Sequence, residues 1–335
     1  MSHVYIDLPD APSIDGLQFR QFAGDSDYPE MARVMNVISE HEGVTALWNA
    51  HTAALFDSWI HDFDPPRDRL MAEIGGQLIG VAKVQSERQL DGKRIYSLSC
   101  NVIPQWRGKG IEPAILRHNE SRLRQIATRQ PLDGERVFHS WGVAGNNTQL
   151  EAALREMQYQ PIRYAYQMVR PNLENIPHAP LPSGVQVRPV REEDLRKIWD
   201  ANREAFRDHW GFVEPPEGAF ETWVKNTDWN RELTRVAWAG DEVVGMVLIF
   251  VPQSHNERAS KKRAETESIC VRRPWRKQGI ARALIAQCLH AIRDAGFDEA
   301  ALGVDTQNPN GALKLYEQMG YRPVQRYTRF EKKME

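Results

Sequence analysis

The chain has 335 residues, 41% hydrophobic and 26% charged, with a formal net charge of -2. That length is too great for one ordinary compact domain and suits two, and the balanced charge offers neither the basic face of a nucleic-acid binder nor the acidic excess of a disordered tail. Three cysteines (Cys100, Cys270, Cys288) without paired spacing argue against a disulfide framework or a structural zinc site, and no apolar run approaches the roughly 20 residues of a membrane span.

The start of the chain has no basic segment followed by an apolar one. A cytoplasmic protein without metal, nucleic-acid or membrane partners is therefore expected. In chain order, residues 17–22 read as a strand, 71–81 as a hairpin and 117–127 as a helix. Residues 171–184 hold four prolines, which fix φ and remove donors, so this stretch reads as an extended linker. Beyond it, 184–189 alternates like a strand. Glu192, Glu193 and Asp194 then supply the acidic start of a helix whose apolar face is Leu195, Ile198 and Ala205. A second helical stretch covers 217–227. Strands at 234–238 and 243–250 flank a turn at Gly240 and Asp241, and the polar segment 254–263 is a loop. Leu284, Ile285, Cys288, Leu289 and Ile292 form one stripe of a helix over 282–295, capped by Gly296. Residues 300–304 make a strand and 310–319 a helix closed by Gly320.

The two halves repeat one another. Ile103-Pro-Gln-Trp-Arg-Gly-Lys-Gly-Ile111 is matched by Arg272-Arg-Pro-Trp-Arg-Lys-Gln-Gly-Ile280. Each follows a strand-like run and precedes a helical pattern. Further on, the segment from Asn146 to Tyr159 is matched by that from Asn308 to Tyr321. The expected organisation is a first module over 1–170, a linker over 171–183 and a second module over 184–335.

The second loop has chemistry of its own. A strand ends, a short turn follows and a helix begins, so successive backbone N–H groups converge near a helix N-terminus and make an anion site. Gly279 permits close approach, Ala281 adds no bulk, and Arg276 adds charge. This pattern, followed by Asn308, Ala312, Leu315, Tyr316, Gly320 and Tyr321, resembles the two signatures of the GCN5-related N-acetyltransferase (GNAT) superfamily. Asn308 lies one residue further from Ala312 than is commonest, and Asn310 is the alternative.

The resemblance implies an α/β fold of two GNAT-type modules, each a mixed, mostly antiparallel sheet flanked by helices. It implies an acetyl-CoA-dependent N-acetyltransferase acting by direct attack in a ternary complex, with acetyl-CoA as cosubstrate. Arg276, Lys277, Gln278, Gly279, Ile280 and Ala281 would hold the coenzyme's diphosphate end, and Asn308 would be a further coenzyme-binding residue. Backbone groups of Ile269, Cys270 and Val271 would hold its pantetheine arm. In the family the base commonly lies on the strand before the loop. Glu265 and Glu267 both stand there on one face, and Glu265 matches the commonest position slightly better. Tyr316 would protonate the departing thiolate.

The first module keeps the outline and loses the chemistry. Glu112 replaces the small residue of the loop and Leu154 replaces the tyrosine. Counting back from the loop puts Tyr96 and Leu98 where the carboxylates would be, and Cys100 is read as the counterpart of Cys270 with a packing role for both. A degenerate partner is expected. The acceptor expected is the primary amine of a small molecule; a protein or peptide amine, a non-catalytic acyl-CoA-binding role and self-association as a homodimer stay open. Phe206, His209, Trp210, Phe220, Trp223 and Trp229, interleaved with Asp208, Glu214 and Glu221, either receive a cationic amine or form core with a solvated acidic face.

Overall fold

The computed structural model describes residues 3–44, 48–58, 60, 62–257 and 260–335. Residues 258 and 259 of the loop expected at 254–263 therefore lie outside the described residues. The chain divides into two compact units, Met1–Tyr164 with Gln325–Glu335, and Ala165–Val324. Residues 171–183 lie within the second unit, and the last eleven residues of the second expected module pack with the first. Core membership gives the reason: Phe330 is buried in the first core, and Met168 and Leu173 are buried in the second.

The first unit contains β1 (Tyr5–Ile6), β2 (Leu17–Gln21), α1 (Tyr28–Glu42), α2 (Ala50–Ser58), α3 (Pro65–Asp68), β3 (Arg69–Ile74), β4 (Gln77–Arg88), β5 (Arg94–Val102), α4 (Ile111–Ala127), β6 (Arg136–Ser140), β7 (Val143–Ala144), α5 (Thr148–Glu156) and the start of β8 (Gln160–Arg170). Strands β1 to β5 pair antiparallel in chain order, and β5 pairs parallel with β6.

The second unit continues with β9 (Gln186–Arg188), α6 (Leu195–Phe206), α7 (Ala219–Val224), β10 (Arg235–Ala239), β11 (Glu242–Phe250), α8 (Gln253–Asn256), β12 (Arg263–Val271), α9 (Ile280–Asp294), β13 (Glu299–Asp305), α10 (Ala312–Gln318) and β14 (Arg322–Lys333). Strands β9 to β12 are antiparallel, β12 and β13 are parallel, and residues 165–170 of β8 pair antiparallel with β13. Residues 327–333 of β14 pair with β7 and β6 of the first unit. Both sheets are mixed and mostly antiparallel.

The apolar run of β11 shows why this sheet carries helices on both faces. Val244, Val247 and Ile249 join the core under α9, while Val243, Met246 and Leu248 join the cluster under α6 and α7. Helix α9 begins two residues before the expected helix and buries Ile280, Leu284, Ile285, Cys288, Leu289 and Ile292. Each fully buried aliphatic side chain contributes about 1.5–3 kcal/mol relative to exposure. This packing fixes the N-terminus of α9 against the end of β12, where the site forms.

Candidate active site

Strand β12 is irregular where it matters. Met246 stands opposite Cys270 and Leu248 opposite Glu267, so β12 has one residue more than β11 in this interval. Ser268 absorbs the extra residue at φ 48, a positive φ that non-glycine residues seldom adopt. The ladder between β12 and β13 covers only Arg263 to Glu265 against Glu299 to Ala301. Beyond it the strands part. The edge of β12 from Glu267 to Val271 can then offer backbone groups to an extended ligand, as an added strand would use them.

After β12 comes a single 3₁₀ turn, Arg273–Trp275, and then α9. Lys277 and Gly279 both have positive φ, 61 and 83. Gly279 is the N-cap of α9 without a side-chain cap, and a Cβ placed on it would meet nothing within 4 Å. The opening N–H groups of α9 lack partners within the helix and face that open space. The Arg276 side chain is committed elsewhere: Nε donates to Val271 O at 2.9 Å, Nη1 to Asp208 Oδ2 at 2.6 Å and Nη2 to Ala205 O at 3.2 Å. Its guanidinium staples the loop, so the anion site is built chiefly from backbone. Gln278 donates to Pro274 O from its side-chain amide at 3.2 Å.

These elements enclose a cavity of about 310 Å³. Of the expected coenzyme residues, Ile269, Cys270, Val271, Arg276, Lys277, Gly279, Ile280, Ala281 and Asn308 line it, as does Tyr316; Gln278 is not in the wall. Asn310, the alternative to Asn308, lines it too, and its N–H donates to Asn308 Oδ1 at 2.9 Å. Ala312 and Leu315 of the second signature line it as well, and Trp275 and Arg282 do so without having been singled out. Arg282 lies one helical position beyond the motif, and that adjacency was the available signal.

Glu265 and Glu267 stand further up β12, outside the cavity wall, and differ sharply. Glu265 is buried, 3% exposed. Glu267 is reachable by solvent but crowded by protein on its other sides. That crowding first, and the charge of Glu265 second, push its carboxyl up to about 8, against a Ser268 N–H that favours the ionised form. Tyr316 is buried, and burial, then Glu267 and Cys270, raise its hydroxyl above the ordinary tyrosine value. Tyr316 also packs edge-on against Tyr321, with 6.2 Å between ring centroids. The Tyr321 hydroxyl meets Thr266 Oγ1 at 2.9 Å.

The first unit shows the same backbone closed. Gly110 caps α4 at φ 86, ψ 0, against φ 83, ψ -2 at Gly279. Here Glu112 is buried, and its carboxylate accepts the Gly108 N–H at 3.0 and 3.2 Å. A side chain of the first helical turn thus sits on the loop's own donor. The adjoining space, lined by Leu98, Leu116, Trp141, Leu150 and Leu154 among others, is about 20 Å³. Strand β5 pairs with β4 without any register shift. The bulge in β12 therefore displaces the equivalences counted from the loop. Ser97 and Ser99, opposite Gln85 and Lys83, match Glu265 and Glu267 opposite Phe250 and Leu248; Tyr96 and Leu98 do not. Cys270 lies between the bulge and the loop, where the count is undisturbed, and its match is Asn101, not Cys100. All three cysteines are free and buried.

The aromatic residues of α6 and α7 form core. Trp223 stacks on Trp229 at 4.3 Å and on Trp199 at 5.4 Å, and Trp229 Nε1 donates to Thr234 at 3.0 Å. Glu214 is bound by Arg203 and Arg207. From this region Ala205 and His209 reach the cavity wall. Among the described residues, no group of three or more His, Cys, Asp or Glu side chains is placed to hold a metal, and no helix is long and apolar enough to cross a membrane.

A splayed strand edge, an open helix N-terminus and a buried tyrosine meet around one cavity of the second unit. The chain belongs to the GNAT acetyltransferase family: the sequence model of the Acetyltransferase (GNAT) family matches residues 33–130 and 195–321. It is an N-acetyltransferase in tandem arrangement, and the donor its family uses is acetyl-CoA. The mycothiol acetyltransferase of Salinispora tropica is 28% identical over 225 residues, covering 64% of this chain and 70% of that protein. That of Salinispora arenicola is 28% identical over 258 residues, covering 73% and 75%. A GCN5-related N-acetyltransferase from Sphaerobacter thermophilus shares the fold with a TM-score of 0.68 at 24% identity, covering 96% of each chain. A tandem GNAT protein from the clavulanic acid biosynthesis pathway does so at 0.62 and 13% identity, covering 95% of this chain and 98% of that one.

Proposed function

We propose that the second unit transfers an acetyl group from acetyl-CoA to the primary amine of a small molecule, with Glu267 as base and Tyr316 as acid. The observation that carries this reading is the cavity where the parted edge of β12, the open N-terminus of α9 and Tyr316 meet. The diphosphate lies on the N–H groups of the 277–281 loop and first turn. The pantetheine arm runs along Ile269 to Val271. The amine nitrogen attacks the thioester carbonyl carbon; a C–N bond forms and the C–S bond breaks. Glu267, directly or through a water, takes the proton the nitrogen sheds. Tyr316 protonates the departing thiolate and recovers its proton from solvent. Glu267 is favoured over Glu265 because it is open to solvent and its charge reaches Tyr316.

The small-molecule acceptor is supported by the two relatives named mycothiol acetyltransferases. The first unit is read as a module without coenzyme, because Glu112 holds its anion loop and its cavity is about 20 Å³. Calorimetric titration with acetyl-CoA should give one site per chain. Thiol release should then follow mixing with a panel of small amines, and Glu267→Gln should lower turnover by about 10²–10⁴-fold. Two sites would overturn the reading of the first unit. Transfer only to peptides or protein N-termini would overturn the acceptor class, and unchanged turnover in Glu267→Gln would remove Glu267 from the chemistry.

A further inference from the structure

The loop that takes the diphosphate in this reading does not hold itself. It contains Lys277, a non-glycine residue at φ 61, and Gly279 at φ 83, and a free chain would sample many other conformations. The staple is Arg276, and Arg276 is itself held by Asp208, two residues past the end of α6. Asp208 accepts from Arg276 Nη1 at 2.6 Å and from Arg273 through both carboxylate oxygens. Its side chain is 13% exposed, and these arginines, Arg273 first, hold its carboxyl well below the usual carboxylate range. The neighbouring His209, and Ala205 whose carbonyl also binds Arg276, are both in the cavity wall. One carboxylate thus joins the wall segment to the anion loop.

The first unit repeats the device. Arg107 Nε donates to Val102 O at 2.9 Å, and its Nη2 meets Glu42, the last residue of α1, at 3.3 Å. There the loop keeps its shape with Glu112 in place of a ligand. The staple therefore belongs to loop shape and not to the chemistry.

We propose that Asp208 is a positioning residue that holds the 273–281 loop in its ligand-binding shape before the donor arrives, so donor affinity depends on a side chain that does not touch the donor. The inference rests on the donor-site reading given above. Loops organised in advance bind more tightly because less ordering remains to be done on binding.

The test compares wild type, Asp208→Asn and Glu42→Gln in the full-length protein. Asp208→Asn should weaken acetyl-CoA binding about tenfold by calorimetry. In the unliganded protein it should speed amide hydrogen exchange of residues 277–281 about tenfold, with exchange in the core of α9 unchanged. Glu42→Gln should alter neither. Unchanged exchange at 277–281 overturns the inference whatever happens to affinity, because Asp208 would then act on the donor directly or not at all. Faster exchange with unchanged affinity overturns it as well. Should wild type fail to bind acetyl-CoA, the donor reading fails, while the exchange comparison still decides the staple. If Asp208→Asn does not fold, Arg276→Lys, which keeps the charge and loses the planar fork, takes its place with the same expected outcomes.

Discussion

Glu265 and Glu267 are one residue type, two positions apart on one face of one strand, and the fold gives them different chemistry. Glu265 is sealed in; Glu267 is open at one side and carries the raised proton affinity. A base must be ionised to accept the amine's proton, so kcat/KM should rise with pH through about 8 and level off above it. The charge of Glu265 is the second contributor to that rise, so Glu265→Gln should move the ascending limb to lower pH. A pH–rate profile checks both statements. A limb that does not move in Glu265→Gln would assign it to the acceptor amine. The two carboxylates were legible in the sequence as a pair. Their difference was not, because burial depends on what the packed chain places around each position.

At the scale of elements, the site depends on one bulge and one helix start. Ser268 adds a residue to β12, and β5 in the first unit has none. The first turn of the helix differs at two positions, Ala281 and Arg282 against Glu112 and Pro113, and Glu112 is the one bonded to its loop. Ala281→Glu should put a carboxylate on the loop's own N–H groups, as Glu112 does on Gly108, and acetyl-CoA binding should be lost. Calorimetry for binding and circular dichroism for the fold check this; retained binding would mean that Glu112 does not shut the first loop. The loops and the helix stripe were readable because local spacing encodes them. The bulge was not, since no residue in Glu265-Thr-Glu-Ser-Ile-Cys-Val271 announces it. Counting without it displaced the matches in the first module by one residue.

At the scale of the whole molecule, each unit has its own core, so ligand binding should act selectively. Acetyl-CoA at a hundredfold excess over Kd should stabilise the second unit by about 2.7 kcal/mol. Hydrogen exchange should show added protection among the buried amides of α9 and β11 and little among those of α4 and β4. Equal protection in both would show that the units unfold as one. The returning chain end was hidden from sequence reading. The residues of β14 look like a last strand of the second module, and only the burial of Phe330 in the first core shows where they pack.

The sequence by itself determined the duplication and the family. These rest on residues close in the chain, whose spacing acts through local backbone geometry. Only the tertiary structure decided that Arg276 is a staple and not a free phosphate ligand, that the Glu112 carboxylate accepts the N–H of Gly108 in its own loop, which carboxylate meets solvent, and which unit the C-terminal strand completes. Two of these are set by partners far away in sequence: Asp208 for Arg276 and the first core for Phe330. Burial and pairing between such distant residues arise only when the chain has packed.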